Sequence, residues 1–190
     1  MIDLLRRGFD EGISSAEIAA GLRRHAGDVG AEDVNELAGV LEGYLRSVPD
    51  ALEAALRTTK DEHFGRAVAF ATGTILTYIF DEEDLLPEAT YGVVGMLDDA
   101  YLVHEFVGSL TRMYPAVAAD YAAPEPRTSE LVATVLPEGV AESLRRTCES
   151  TIQVAQALFP SGQRVDGVDG APEPQLRVAD ALAGEPLPSA

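Results

Sequence analysis

The stretch DEEDLLPEATYGVVGMLDD, which runs from Asp81 to Asp99, separates two apolar segments and decides how the chain folds. Its nineteen residues hold seven carboxylates around an apolar centre. The segment before it, AVAFATGTILTYIF (67–80), and the segment after it, AYLVHEFVGSL (100–110), have the composition of buried helices. We therefore expect an acidic connector between two core helices.

Helical signals continue on both sides of this connector, and the alternation typical of strands is nearly absent. Ser14 with Glu17 three residues later has the spacing of a capping box. Pro49 fits the first turn of another helix, and Gly73 inside the apolar segment predicts close helix packing. These patterns predict an all-α fold, a compact bundle of six or seven helices.

Composition changes near the end of the chain. Residues 1–159 have the patterns of a single helical domain, whereas residues 160–190 are rich in Gly, Pro and acidic side chains and poor in aromatics. Such a composition buries too little apolar surface to offset the entropy of ordering. We therefore expect a disordered C-terminal tail after one helical domain.

The charge balance limits the classes of partner. The net charge is −18, the pI is about 4.3, and Lys60 is the one lysine among 14 basic residues. This balance argues against nucleic-acid binding, which needs clustered cations, and against attraction to an anionic membrane. It favours a basic protein partner or cation binding, and leaves the oligomeric state open.

Two further features bear on where the chain works. The uncharged run of 67–80 would form a helix of about 21 Å, whereas a bilayer core is about 30 Å thick. We therefore expect a buried helix and not a membrane span. Cys148 is the single cysteine and cannot form an intrachain disulfide, which fits a reducing interior and a cytoplasmic protein.

The acids of the connector have an architectural interpretation. Asp84 and Asp98 are placed as N-caps of successive helical segments, and Pro87 is allowed in a first turn. Glu88 would lie near the positive end of a short helix. Gly92 and Gly95 would permit positive φ or close backbone approach.

Helical periodicity separates Asp98 from Asp99. With a helix over about 98–114, Asp99 lines up with the apolar stripe of Val103, Phe106 and Leu110 and should point inward. A buried carboxylate needs a partner. Backbone N–H groups, Arg66 or a cation could serve.

The alternative interpretation of the same acids is a divalent-metal site. Asp84, Glu88, Asp98 and Asp99 could converge, and their oxygens suit Mg²⁺, Ca²⁺ or Mn²⁺. The spacing does not match an EF-hand, and His104 has no second histidine four residues later. We expect His25, His63 and His104 to have surface or satisfied-core roles and not to bind a metal, and Cys148 has no activating neighbour in sequence.

The connector also resembles a known family. The segment 62–103 is similar to the YkvA-like family, small helical bacterial domains of unknown function with an Asp–Leu–Ile–Pro–acid pattern followed by Gly and Asp–Asp. The matching residues here are Asp84, Leu85, Leu86, Pro87, Glu88, Gly92, Gly95, Asp98 and Asp99. Some members of the family look membrane-associated.

These observations predict a non-enzymatic helical adaptor or regulatory module that acts through protein–protein contacts, with no catalytic residues. The first alternative is a divalent-metal-binding protein with hydrolytic activity at the acidic motif. The second is a peripheral membrane-associated protein.

Overall fold

The structure is a computed structural model that describes residues 6–7, 9, 13–25, 31–61, 64–80, 85–86, 88–114 and 123–160. Within these ranges the regular structure is entirely helical. The elements are α1 (Ser15–His25), α2 (Ala31–Arg46), α3 (Val48–Thr58), α4 (Gly65–Ile79), α5 (Glu88–Tyr91), a 3₁₀ turn (Gly92–Gly95), α6 (Met96–Met113), α7 (Pro126–Val135) and α8 (Val140–Leu158). Seven of these helices have ten residues or more, so the predicted all-α fold is confirmed.

Local signals account for where several helices begin. The backbone N–H of Glu17 donates to Ser14 Oγ at 3.3 Å, and the Ser14 hydroxyl donates to Glu17 Oε2 at 2.8 Å. This pair caps α1 much as the predicted box would. Pro49 stands in the first turn of α3, where its missing N–H costs no intrahelical hydrogen bond.

Helix α6 is the centre of the bundle. It packs against α2, α3, α4, α7 and α8 and continues directly from the 3₁₀ turn. Eight consecutive residues, Leu97 to His104, are buried. This stretch has no face open to solvent, so the polar residues within it must find partners inside the protein.

Helix α4 lies on one side of this centre, against α3, α6 and α8. Its buried face includes Val68, Ala71 and Ile75, as predicted for a core helix. The interpretation of Gly73 as a close-packing residue is wrong, because it faces outward and a Cβ there would meet no atom within 4 Å. None of the helices in the described ranges combines the length and apolar character that a membrane crossing requires.

The core residues of the helices from α1 to α8 form one hydrophobic cluster. Its largest fully buried side chains include Tyr101, Phe106, Leu41, Leu52 and Leu144. A single domain over 1–159 stays a prediction. Residues 161–190, which are the predicted tail apart from its first residue, lie outside the described residues.

Candidate functional site

The acidic motif enters the core through the first turn of α6. Asp98 and Asp99 are 0% and 3% exposed. The inward position predicted for Asp99 is therefore confirmed. The prediction of Asp98 as an N-cap is wrong, because α6 begins two residues earlier, at Met96, with Gly95 at the N-cap position. Asp98 consequently has helical backbone and a fully buried side chain.

The buried Asp98 carboxylate contacts the end of the preceding core helix. The Tyr78 hydroxyl, near the C-terminus of α4, donates to Asp98 Oδ2 at 3.2 Å. Burial raises the pKa of Tyr78, the negative charge of Asp98 raises it further, and a hydrogen bond from the backbone of Leu85 opposes the shift. The phenol therefore stays protonated and can donate. This hydrogen bond links the C-terminal end of α4 to the first turn of α6, where the connector ends.

The turn that precedes α6 depends on two glycines. Gly92 has a φ of +61°, which L side chains rarely adopt, so the positive φ predicted there is confirmed. Gly21 of α1 is buried against the same turn, where a Cβ would lie 2.5 Å from Val94 Cγ2. No local sequence pattern predicts this contact between α1 and the turn, because Gly21 and Val94 are far apart along the chain.

The structure brings together only part of the predicted metal site. Asp98 and Asp99 lie side by side, but Asp84, Pro87 and the side chain of Glu88 lie outside the described residues. In the ranges described, no group of three or more His, Cys, Asp or Glu side chains could hold a metal ion. Convergence of the four carboxylates therefore stays a prediction. Arg66, the suggested cationic partner of Asp99, is exposed.

Of the surface and core roles left open for His104, the structure shows the core role. Its Nε2 lies 3.1 Å from both the Tyr44 carbonyl oxygen and Ser47 Oγ, and its ring centroid is 4.3 Å from that of Tyr44. The Ser47 hydroxyl donates to the same carbonyl at 2.8 Å. Burial lowers the pKa of His104 to about 4, and the hydrogen bond to Tyr44 opposes this shift. The imidazole is therefore neutral near pH 7.

Cys148 has the environment of a structural thiol. It is 1% exposed, and its Sγ lies 3.5 Å from the Leu102 carbonyl oxygen. Burial raises the pKa of the thiol to about 12, and the charges of Glu105 and Glu149 add to the shift. The reactive form of cysteine is the thiolate, so this residue is poorly suited to act as a nucleophile.

Two features were not found from the sequence. The first is a cavity of about 390 Å³ between α6, α7 and α8, with Tyr101 and His104 among its lining residues. The second is a pair of large apolar side chains at the acidic connector: Phe80 is 50% exposed and Leu85 is 45% exposed. Neither follows from a local motif, because both depend on how separate segments pack.

Comparisons with known proteins found no similar protein. No protein-family model, curated protein or solved structure matches the chain. The resemblance to the YkvA-like family therefore rests on the motif residues of the connector alone.

Proposed function

We propose that this protein is a non-enzymatic helical adaptor or regulatory module of the YkvA-like type, which acts in the cytoplasm through contacts with another protein. The observation that carries the proposal is the exposed pair Phe80 and Leu85. Large apolar side chains at the surface are typical of contact sites when they occur together with polar neighbours. Four consecutive acids, Asp81 to Asp84, separate these two residues in the sequence.

The contact between Tyr78 and Asp98 gives this surface a firm base. Phe80 follows Tyr78 by two residues, and the Tyr78 hydroxyl is bound to a carboxylate in the central helix. The end of α4 is thereby held against α6 while Phe80 remains accessible. A rigid support of this kind reduces the entropy lost when a partner binds.

The chemistry of the surface indicates the kind of partner. Exposed apolar residues that are followed or preceded by acids in the sequence suit a partner segment with an apolar face and basic flanks, such as an amphipathic basic helix. The net charge of −18 would speed the approach of such a partner at low salt. Binding should therefore weaken as the salt concentration rises.

Crosslinking in cell extract tests the proposal. The tagged wild-type chain is compared with the double variant Phe80→Ser/Leu85→Ser and with Val40→Ser, a control at another exposed apolar residue (40% exposed). We expect the same proteins to be captured by the wild type and the control and lost by the double variant, at equal melting temperatures. Capture of an unchanged set by the double variant would contradict the proposal. Co-flotation of the chain with vesicles, lost in the double variant, would favour peripheral membrane contact instead.

The second candidate is a divalent-metal-binding protein with hydrolytic activity at the acidic motif. The adjacent buried carboxylates Asp98 and Asp99 favour it, because hard cations take carboxylate oxygens. Titration of the chain with Mg²⁺, Ca²⁺ or Mn²⁺ in a calorimeter separates the two candidates. Saturable heat that disappears in Asp99→Asn would support the metal site, whereas its absence would support the adaptor.

A further inference from the structure

The cavity between α6, α7 and α8 lies apart from the acidic motif. Its volume of about 390 Å³ is in the range of small-molecule sites. Tyr101 and His104 of α6 are 0% and 4% exposed, so they form the floor. Pro124 and Pro126, which stand just before and at the start of α7, supply an apolar wall.

The rim of the cavity carries charges of both signs. Arg112 and Arg145 line it together with Glu105 and Glu130. The charges of the cavity lining therefore cancel, because burial keeps His104 neutral near pH 7. The chain as a whole, by contrast, has a net charge of −18. Neither Glu105 nor Glu130 has an ion pair within the described part of the chain.

Each of the two arginines is held by neighbouring side chains, and each keeps guanidinium N–H donors available for a ligand. The Arg145 guanidinium carbon lies 5.8 Å from the centroid of the Tyr101 ring, a cation–π distance, and its ion pair with Glu142 is a loose 3.6 Å. Arg112 donates from Nη2 to Ser109 Oγ at 2.7 Å. A guanidinium has five N–H donors, so each can still bind a carboxylate.

The Tyr101 side chain holds Arg145 at the cavity. Tyr101 is fully buried and is one of the lining residues, and the Arg145 guanidinium interacts with both its ring and its hydroxyl. Burial raises the pKa of Tyr101; the charge of Glu105 adds to the shift, whereas the charge of Arg145 and its hydrogen bond to the phenol oppose it. The guanidinium is therefore fixed in place before a ligand binds, which reduces the entropy lost on binding.

We propose that this cavity binds a free α-amino acid with an apolar side chain. Arg145 and Arg112 would bind the carboxylate, and Glu105 and Glu130 would bind the ammonium group. A simple anion would face two carboxylates and a simple cation two guanidiniums, whereas a zwitterion complements both. The apolar side chain would lie against Pro124 and Pro126. This site is separate from the surface of the proposed adaptor function.

Thermal unfolding of the full chain tests the proposal with defined probes. Each standard amino acid is added alone, beside its deaminated carboxylic acid and its decarboxylated amine. Because a ligand that binds only the folded state raises the melting temperature, we expect a saturable rise with one or more apolar amino acids. The matched acid and amine should give none. A panel without any saturable rise, or an equal rise with the acid alone, would overturn the proposal.

Variants locate the binding site. Arg145→Gln should weaken binding of the active amino acid about tenfold or more, through loss of a charge-assisted hydrogen bond. Arg146→Gln is the matched control, because Arg146 is the next residue of α8, is 76% exposed, pairs with the same Glu142 and does not line the cavity. Equal affinity of the two arginine variants would contradict the assigned site.

Discussion

The Tyr78 hydroxyl and the Asp98 carboxylate, 3.2 Å apart, join the two core helices that flank the acidic connector. Asp98 is fully buried, so loss of the Tyr78 hydroxyl would leave a carboxylate inside the protein with one hydrogen-bond donor fewer. We expect Tyr78→Phe to lower the free energy of unfolding by about 1–3 kcal/mol at pH 7. Urea unfolding of the variant measures this loss.

A double-mutant cycle isolates the contact from other effects of the substitution. If the two groups act as a pair, the losses from Tyr78→Phe and Asp98→Asn should not add, and the coupling energy should be about 0.5 kcal/mol or more. Additive losses would mean that the hydroxyl and the carboxylate contribute to stability independently.

Much of this arrangement could be predicted from the sequence, but the role of Asp98 could not. Helical periodicity correctly placed Asp99 with the apolar stripe of the helix. The start of α6 was expected at 98 because an Asp there resembles a cap, whereas the helix continues from a 3₁₀ turn and begins at Met96. The contact with Tyr78 spans 20 residues, and no local pattern encodes such a pairing.

The same limit applies to Gly73, for which the sequence predicts close packing, and to Gly21, for which it predicts no special role. Gly73 lies in an apolar segment, yet it faces solvent, because a helix of a bundle still has one uncovered side. Gly21 lies in an ordinary amphipathic helix, yet it is the glycine that packs closely against Val94. Capping and periodicity are local properties, whereas close approach of two elements depends on the assembled fold.

Gly21 should therefore be sensitive to a single added methyl group. A Cβ at this position would lie 2.5 Å from Val94 Cγ2, so we expect Gly21→Ala to destabilise the protein by about 1–3 kcal/mol through overpacking. Gly73→Ala is the control, because its Cβ would meet nothing within 4 Å. This control should be neutral or stabilising by up to about 1 kcal/mol, as alanine favours helix.

The second substitution Val94→Ala should rescue Gly21→Ala in part. The remaining Cβ of residue 94 would lie 3.7 Å from the new methyl group, an ordinary van der Waals contact. Chemical denaturation of the single and double variants measures the rescue. A Gly21→Ala variant as stable as the wild type would show that α1 can shift away from the turn without loss.

The buried His104 predicts a specific dependence of stability on pH. Its pKa in the folded protein, about 4, is below the ordinary value of 6.5, so the unfolded state binds its proton first as the pH falls. The contribution of His104 to stability is therefore complete above pH 6.5 and is lost as the pH falls towards 4. A shift of this size corresponds to a loss on the order of 3 kcal/mol.

The variant His104→Gln removes the titrating group while it keeps a side-chain donor near the Tyr44 carbonyl. Urea unfolding at pH 7 and pH 5 is compared for the wild type and the variant. We expect the wild type to lose more stability between these two values, because other titrating groups contribute to both proteins alike. An equal loss in the two proteins would show that His104 does not titrate differently in the folded state.

Asp98 and Asp99 are buried in the first turn of α6, and contacts such as the Tyr78 hydrogen bond indicate that their role is architectural. The most direct test is the melting temperature of the wild-type chain at rising concentrations of Mg²⁺, Ca²⁺ or Mn²⁺, since an ion that binds only the folded state must raise it. If the two carboxylates are architectural, none of the three ions should give a saturable rise. A saturable rise of several degrees that is abolished by Asp99→Asn and by Glu88→Gln would contradict it and establish the acidic motif as a metal site.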